Sequence, residues 1–372
     1  MDFLRHYNLL SRSYPPDLAR IALETAILRS EASIKFPQAE QMYFTRPALE
    51  QASSFAVSAY RVQRYNGFER LVDLGCSIGG DTLALAEIAP TTAIDIDPLR
   101  LEMARANLEG LGLASNAQFI MADLSSKLPC CMDASTGLFF DPARRDERGR
   151  IYSVQAYHPP LSTVRGWLAS CPAVGVKLSP GVDLTELEPY DAELEFISFN
   201  GELKEAVLWF GPLRKVRRQA TLLPGPFILA SDEPDPGEER LSDPLAYLFE
   251  PDPAILRAGL VRPLAMLLDA AQLDPEIAYL TSAEYQATPF TRAWEVEAWF
   301  PFNLKHLRSE LRARNVGEVV VKKRGSPIEP EALIHELRLK GDDFRVVFLT
   351  QLRGRPVVVL AKTINADDTN KS

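Results

Sequence analysis

The chain has 372 residues, of which 46% are hydrophobic and 24% charged, the make-up of an ordinary soluble globular protein. It is longer than one core usually takes, so two or three units are expected. No run of about 18 apolar residues occurs, and the opening Met1-Asp2-Phe3-Leu4-Arg5-His6 lacks the charged-then-apolar order of a secretion signal; no membrane span is expected and the cytoplasm is the expected compartment. A net charge of −9 argues by itself against a general nucleic-acid binder. Cys76, Cys130, Cys131 and Cys171 form no C-x-x-C pair and have no histidine nearby, so neither zinc nor a disulfide framework is expected.

Residues 1–66 read as an N-terminal helical segment. Pro15-Pro16-Asp17 opens one helix, and Thr45-Arg46-Pro47 opens a second that runs to about Tyr65. From residue 69 short apolar strands alternate with helices. Strands are expected at residues 70–74, 91–96, 117–121, 136–140 and 173–178, with helices at 98–111 and 154–170. That alternation predicts an α/β fold with a parallel sheet covered on both faces. Two further strands, 192–199 and 205–210, meet at Asn200-Gly201, a strong hairpin signal.

Together these place an α/β catalytic domain at residues 67–221. Residues 222–240, rich in proline and acid, read as a linker. Beyond it come a small acidic ferredoxin-like unit at 241–300, a basic α+β unit at 301–364 and a polar tail at 365–372 expected to be disordered. Within this half, residues 253–271 read as helix, 293–300 as strand, 304–314 as helix, 318–323 as strand, 330–337 as helix, and 345–349 with 356–362 as a hairpin. Charge supports the split: residues 226–299 carry 4 basic and 14 acidic side chains, residues 300–362 carry 13 and 7. Trp294 and Trp299, on an alternating strand, are expected in the core or at a domain interface.

The most informative segment is Leu71-Val72-Asp73-Leu74-Gly75-Cys76-Ser77-Ile78-Gly79-Gly80-Asp81. A buried strand enters a glycine turn and then a helix. Gly75 permits the turn and a close backbone approach to a ligand; Gly79 or Gly80 permits close passage under the helix. The G-x-x-x-G spacing differs from the G-x-G-x-x-G that seats a pyrophosphate on a helix N-terminus, and suits S-adenosylmethionine, which has an amino-acid end and a sulfonium instead. Asp73 would face its ammonium, directly or through water. Asp95, about 20 residues on at the end of the second strand, would take the ribose hydroxyls, with Asp97 as second choice. Ile96 would lie on the adenine, and Asp123 after the third strand would accept from the adenine amine.

Residues 69–211 resemble the class I S-adenosylmethionine-dependent methyltransferases. The resemblance implies a Rossmann-like seven-stranded sheet in the order 3-2-1-4-5-7-6 and cofactor contacts from Asp73, Gly75, Cys76, Gly79, Asp95, Ile96, Asp123 and Asp141; nothing in the sequence calls for a metal. The whole chain is similar to a bacterial subgroup with a C-terminal THUMP-like domain. That similarity rests on Phe44-Thr45-Arg46, Phe140-Asp141-Pro142-Ala143-Arg144-Arg145, Lys177-Leu178-Ser179-Pro180-Gly181 and Val321-Lys322-Lys323-Arg324-Gly325. THUMP domains belong to RNA-modifying enzymes, so the resemblance implies a structured RNA as substrate.

Asp141-Pro142 stands where amino-methylating relatives carry Asp/Asn-Pro-Pro-aromatic, in which the acid and a carbonyl accept from a nucleobase amine. Here Arg144 replaces the aromatic, and a stacking ring would have to come from elsewhere, Tyr152 or Tyr157. Lys177 beside Asp141, with Glu205, also resembles part of the Lys-Asp-Lys-Glu set of ribose 2′-O-methyltransferases. Cys171 precedes the fifth strand, the wrong end of the sheet for a nucleophile. Arg144 and Arg145 on the site's loop, and Lys322, Lys323 and Arg324 at a strand end, are candidates for phosphate contacts; the alternative is a set of solvated faces. The chain is therefore expected to be an RNA methyltransferase that favours a base nitrogen. The alternatives are a methyltransferase of small molecules or proteins, and a non-catalytic binder.

Overall fold

Pro16 at the first turn and Asp17 beside the positive helix end start a helix, and a short α1 (Phe3–Leu10) is followed by α2 (Pro16–Ala32). Thr45 accepts from the Ala48 amide and caps α3 (Arg46–Gln51). The single helix expected from there to about residue 65 is broken at residues 52–54 and resumes as α4 (Phe55–Val62). A distant side chain caps the break: the Lys35 ammonium donates to the carbonyls of Leu49 (2.7 Å), Glu50 (3.2 Å) and Ala52 (2.8 Å), satisfying acceptors at the helix end. The computed structural model describes residues 3–126, 128–130, 132–143, 145–146, 149–150, 153–232 and 240–364, which divide into two units, 1–199 with 203–217 and 200–202 with 218–372.

In the first unit β1 (Arg70–Leu74), α5 (Gly80–Ala86), β2 (Thr91–Asp95), α6 (Pro98–Gly110), β3 (Ala117–Met121) and β4 (Thr136–Phe140) alternate as the apolar runs predict. A short antiparallel pair, β5 (Arg145–Asp146) and β6 (Gly149–Arg150), follows. Only α7 (Val164–Leu168) forms in the stretch expected to be helical from 154, because Pro159 and Pro160 cannot donate to a helical ladder. Then come β7 (Ala173–Leu178), β8 (Glu193–Phe199) and β9 (Glu202–Trp209). The strand order within this unit is β3-β2-β1-β4-β7-β9-β8, the expected 3-2-1-4-5-7-6. The first five are parallel neighbours, β9 is antiparallel to β7, and every residue of β4 and β7 is buried, as a sheet covered on both faces requires. Asn200 and Gly201, with φ of 53° and 76°, reverse the chain between β8 and β9.

Tyr65, just after α4, fixes the N-terminal segment to this sheet. Its ring fills a slot left by two glycines on adjacent strands. A Cβ on Gly137 would lie 2.5 Å from Tyr65 Cδ1, and one on Gly175 would lie 2.4 Å from Tyr65 Oη and 2.6 Å from Trp209. The hydroxyl donates to the Leu138 carbonyl at 2.7 Å. Helix α4 and the turn after it add polar anchors on β8: Tyr60 donates to Glu195 (2.6 Å) and Arg64 pairs with Glu193 (2.6 Å), while Trp209 donates to the other Glu195 oxygen at 2.7 Å. Glu193, Glu195 and Trp209 are buried, so none of the three could be left unpaired cheaply.

The second unit departs from the expected divisions. Residues 222–240 do not form a linker throughout: β10 (Arg218–Leu223) and β11 (Phe227–Ser231) pair antiparallel through this stretch, and residues 233–239 lie outside the described residues. The residues from 241 to 363 form one domain. Its elements are β12 (Tyr247–Pro251), α8 (Pro253–Ala258), α9 (Val261–Leu267), β13 (Ala271–Asp274), β14 (Ile277–Ser282), β15 (Thr291–Pro301), α10 (Leu304–Ala313), β16 (Val316–Lys323), α11 (Pro330–Leu337), β17 (Asp343–Leu352) and β18 (Arg355–Thr363). One seven-stranded sheet runs β13-β14-β12-β15-β18-β17-β16. Strand β15 crosses the expected boundary at residue 300 and pairs with β12 on one side and β18 on the other, so neither half can complete its sheet alone. One face buries Leu248, Tyr279, Trp294 and Phe348; on the other, Leu307 and Leu311 of α10 and Leu333 and Leu337 of α11 close a second core. Trp294 is thus core, as expected, whereas Trp299 is 38% exposed. The tail from 365 lies outside the described residues.

The Tyr65 slot yields a sharp contrast. Gly175→Ala places a methyl inside the Tyr65 and Trp209 rings and is expected to cost about 1–3 kcal/mol or more by overpacking. Gly166→Ala, in α7 with nothing within 4 Å of the new Cβ, should be neutral or stabilising by about 0.5 kcal/mol. Thermal denaturation of the two variants against the parent chain checks both.

Candidate active site

The carboxyl ends of β1, β2, β4 and β7 open into a cavity of about 770 Å³ within the first unit. Gly75 sets its floor. Its φ is 81°, and a Cβ there would stand 2.5 Å from the Asp141 carbonyl oxygen, so only glycine lets the ends of β1 and β4 approach this closely. The Asp141 amide in turn donates to the Leu74 carbonyl at 3.0 Å. Cys76 follows on the wall, its thiol pushed well up by burial.

Asp95 and Asp123, at the ends of neighbouring strands, both line the cavity. Asp95 is held by the amides of Ser77 (2.8 Å) and Asp97 (3.0 Å), and Asp123 by that of Ser125 (2.8 Å). Ile96 stands between them on the wall, 65% exposed. Asp97 is spent as the N-cap of α6, accepting from Leu99 and Arg100.

Two expected contacts fall behind the wall. Gly79 packs under the helices, a Cβ there meeting Ala104 at 3.1 Å, and Gly80 is the glycine that lines the cavity. Asp73 is 1% exposed and accepts from the Thr82 hydroxyl at 2.5 Å. The carboxylate that reaches the cavity from this segment is Asp81. It accepts from Ser58 and from the Arg61 guanidinium, each at 2.5 Å. Strand alternation explains the exchange: Asp73 sits inside β1 and points into the layer beneath α5, whereas Asp81 lies in the first turn of α5.

At the reacting end Lys177 Nζ lies 2.6 Å from Asp141 Oδ2 and 3.9 Å from Asp81 Oδ2, with the lysine only 3% exposed. Pro142 is buried beside them, and Ala143 exchanges backbone hydrogen bonds with His158, which brings His158 and Pro159 onto the wall. Glu205 of β9 accepts from Ser53 at 2.8 Å and is ion-paired with Arg61 Nε at 2.9 Å. Burial pulls the Arg61 guanidinium down, but Asp81 and Glu205 outweigh it and leave it raised. The Asp81 carboxyl, opposed by burial, is held low by Arg61 and Lys177.

Arg144 and Tyr152 lie outside the described residues, and of Arg145 only the backbone of β5 is described. Tyr157 is buried off the wall. Cys171, at the opposite strand end, donates to the Thr136 carbonyl, and burial raises its thiol to about 11. Lys35, Ser53, Arg61, Asp81 and His158 also line or support the cavity without being expected from the sequence. Asp81 was in plain view at the end of the glycine segment; the others come from elements whose approach to the sheet no local pattern announces.

In the second unit the three expected phosphate contacts are already paired. Lys322 meets Glu250 at 2.5 Å, Arg324 meets the same carboxylate at 3.7 Å, and Lys323 meets Glu329 at 2.6 Å. The acidic and basic halves seen in the sequence neutralise one another across one sheet, as Arg345 with Glu297 (2.8 Å) and Lys362 with Glu295 (3.1 Å) also show. Among the described residues no group of three or more His, Cys, Asp or Glu is placed to hold a metal, and no helix is long and apolar enough to cross a membrane.

The chain is 35% identical over 348 residues to an uncharacterized S-adenosylmethionine-dependent methyltransferase found in two strains of Mycobacterium tuberculosis, covering 90% of this chain and 94% of the relative. It belongs to the S-adenosylmethionine-dependent methyltransferases. A crystal structure from Porphyromonas gingivalis W83, provisionally named a methyltransferase, shares the fold with a TM-score of 0.79 at 24% identity, covering 95% of this chain and 92% of that one. Residues 291–363 match the family model "THUMP domain-like", so this is a class I methyltransferase with a C-terminal THUMP-like domain, and its cofactor is S-adenosylmethionine.

The cavity fits that cofactor. A methyltransferase needs hydrogen-bond acceptors for a ribose, an apolar surface for an adenine and a backbone that comes close without a side chain. Asp95, Ile96 and Gly75 have those characters on one continuous wall.

Asp73 gives this methyltransferase a measurable pH signature. Burial, and then Asp81, push its carboxyl from 3.8 up to about 8. A carboxyl raised in the folded state favours folding fully below its unfolded pKa. It loses that contribution as pH climbs to the folded value, because the unfolded chain releases its proton first. The stability advantage of the parent over Asp73→Asn should therefore shrink between about pH 4 and pH 8 and stay level above. Urea denaturation across that window checks it; a difference constant with pH would mean that Asp73 is ionised throughout.

Proposed function

We propose that this enzyme transfers the methyl group of S-adenosylmethionine to RNA, at a nucleobase nitrogen in preference to a ribose 2′-hydroxyl. The observation that carries the RNA part is the THUMP-like match over residues 291–363, since THUMP domains accompany RNA-modifying enzymes. Lys305 and Arg312 of α10 support it: both are exposed, and among the described residues neither side chain has a partner.

In this reading Asp95 takes the ribose hydroxyls, Ile96 covers the adenine and Asp123 accepts from its amino group, while the turn at Gly75 and Cys76 passes beside the amino-acid end. The bound cofactor supplies an electrophilic methyl on a sulfonium. The chain's own work is positioning. A base amine presents its lone pair only if its N–H bonds are held aside, and Asp141 with the Pro142 carbonyl are the acceptors for that. Lys177, 2.6 Å from Asp141, holds the carboxylate in place. This favours the amine over the ribose hydroxyl, for which Lys177 would have to give up that partner and act as a base.

A small-molecule or protein acceptor is the second reading, favoured by the ion pairing of Lys322, Lys323 and Arg324. Incubating total RNA with labelled cofactor and resolving the nucleosides separates the two. Label is expected in base-methylated nucleosides, and label confined to protein or small molecules would refute the RNA reading. Asp141→Ala should lower kcat by about 100-fold or more with cofactor affinity little changed. Asp95→Ala should weaken cofactor binding about tenfold or more, measured by calorimetry.

A further inference from the structure

A second cavity, of about 410 Å³, lies wholly within the second unit and is separate from the methyl-transfer site. Its walls have two chemical characters. Phe227 of β11 and Phe290, just before β15, supply aromatic surface with Pro224, Pro251 and Pro289 around them, and Phe227 is 46% exposed although it belongs to a strand. Arg292, Lys322 and Arg324 supply positive charge. Lys322 and Arg324 share the single carboxylate of Glu250, at 2.5 and 3.7 Å, and Asp252 is occupied in capping α8. Three cations therefore face two carboxylates.

Arg292 is the uncompensated one. It stands directly across from Glu250 in the β12–β15 ladder, yet that carboxylate is turned to Lys322 and Arg324. Arg292 is exposed and has no ion-pair or hydrogen-bond partner among the described residues. An exposed aromatic and a free guanidinium on one concave surface match one ligand chemistry, an aromatic ring joined to a singly charged anion.

We propose that this cavity binds one unpaired nucleotide of the RNA substrate, its base against Phe227 and Phe290 and its phosphate on Arg292. Rings stack on aromatic side chains regardless of sequence, and a planar guanidinium suits a phosphate. The inference rests on RNA being the substrate. It gives the second unit a docking site that uses Arg292 and the hairpin β10–β11, in place of the neutralised Lys322-Lys323-Arg324 run alone.

The test uses the full chain and a short fluorescein-labelled single-stranded RNA of mixed sequence, with binding read by anisotropy at fixed salt. An abasic ribose-phosphate strand of the same length serves as comparison. Phe227→Ala and Arg292→Ala should each weaken binding of the RNA about tenfold. The abasic strand should bind the parent no better than the RNA binds Phe227→Ala. Both residues are exposed, and a circular dichroism spectrum and a thermal midpoint unchanged from the parent verify that the variants fold. Parent-like binding by both variants, or equal binding of the abasic strand, would overturn the nucleotide site. If the parent still methylates RNA and the variants do so with unchanged KM, this inference alone falls; if the parent binds and methylates no RNA, the proposed substrate class falls with it.

Discussion

The first unit turns on one buried guanidinium. Arg61 is 2% exposed, lies over the Phe139 ring at 4.5 Å, and contacts both Asp81 at the start of α5 and Glu205 on β9. Taking such a charge from water costs several kcal/mol, which the two carboxylates and the ring offset. Arg61 belongs to α4, so the N-terminal helices are part of the catalytic domain. They close the charge balance beneath the cavity and, through Lys35, Ser53 and Ser54, form one of its walls.

The same network arranges the reacting end. Asp141 is held by Lys177, Lys177 lies near Asp81, Asp81 is held by Arg61, and Arg61 reaches Glu205. A carboxylate fixed by a chain of partners has one orientation, and that is the property a positioning catalyst needs. Asp73 is the remaining acid in this layer. Burial and the Asp81 charge keep it protonated near neutrality, so the layer does not carry one negative charge too many.

In the second unit the charge that looked divided along the chain is paired in space. Glu250, Glu295 and Glu297 come from the acidic stretch and meet Lys322, Lys362 and Arg345 from the basic one. Among the described residues the basic side chains left without a partner include Arg292, Lys305 and Arg312 of α10, and Arg338, Lys340 and Arg355, and it is on such residues that recognition of an anion can draw.

The sequence alone determined the strand–turn–helix at Gly75, the carboxylates at 95 and 123, the Asp141-Pro142 turn and the hairpin at Asn200-Gly201. Each is a local pattern whose backbone geometry needs those residues and little else. It did not determine where the helices break, at an end that Lys35 caps from 14 to 17 residues away, nor that Asp81 replaces Asp73 at the cavity, because that depends on which face of β1 the sheet buries. Nor did it show that residues 241–363 share one sheet, since β15 joins partners from both sides of a composition boundary. Tertiary structure decided these points for one physical reason: contacts between residues far apart in the chain set burial and charge pairing, and local periodicity carries no record of them.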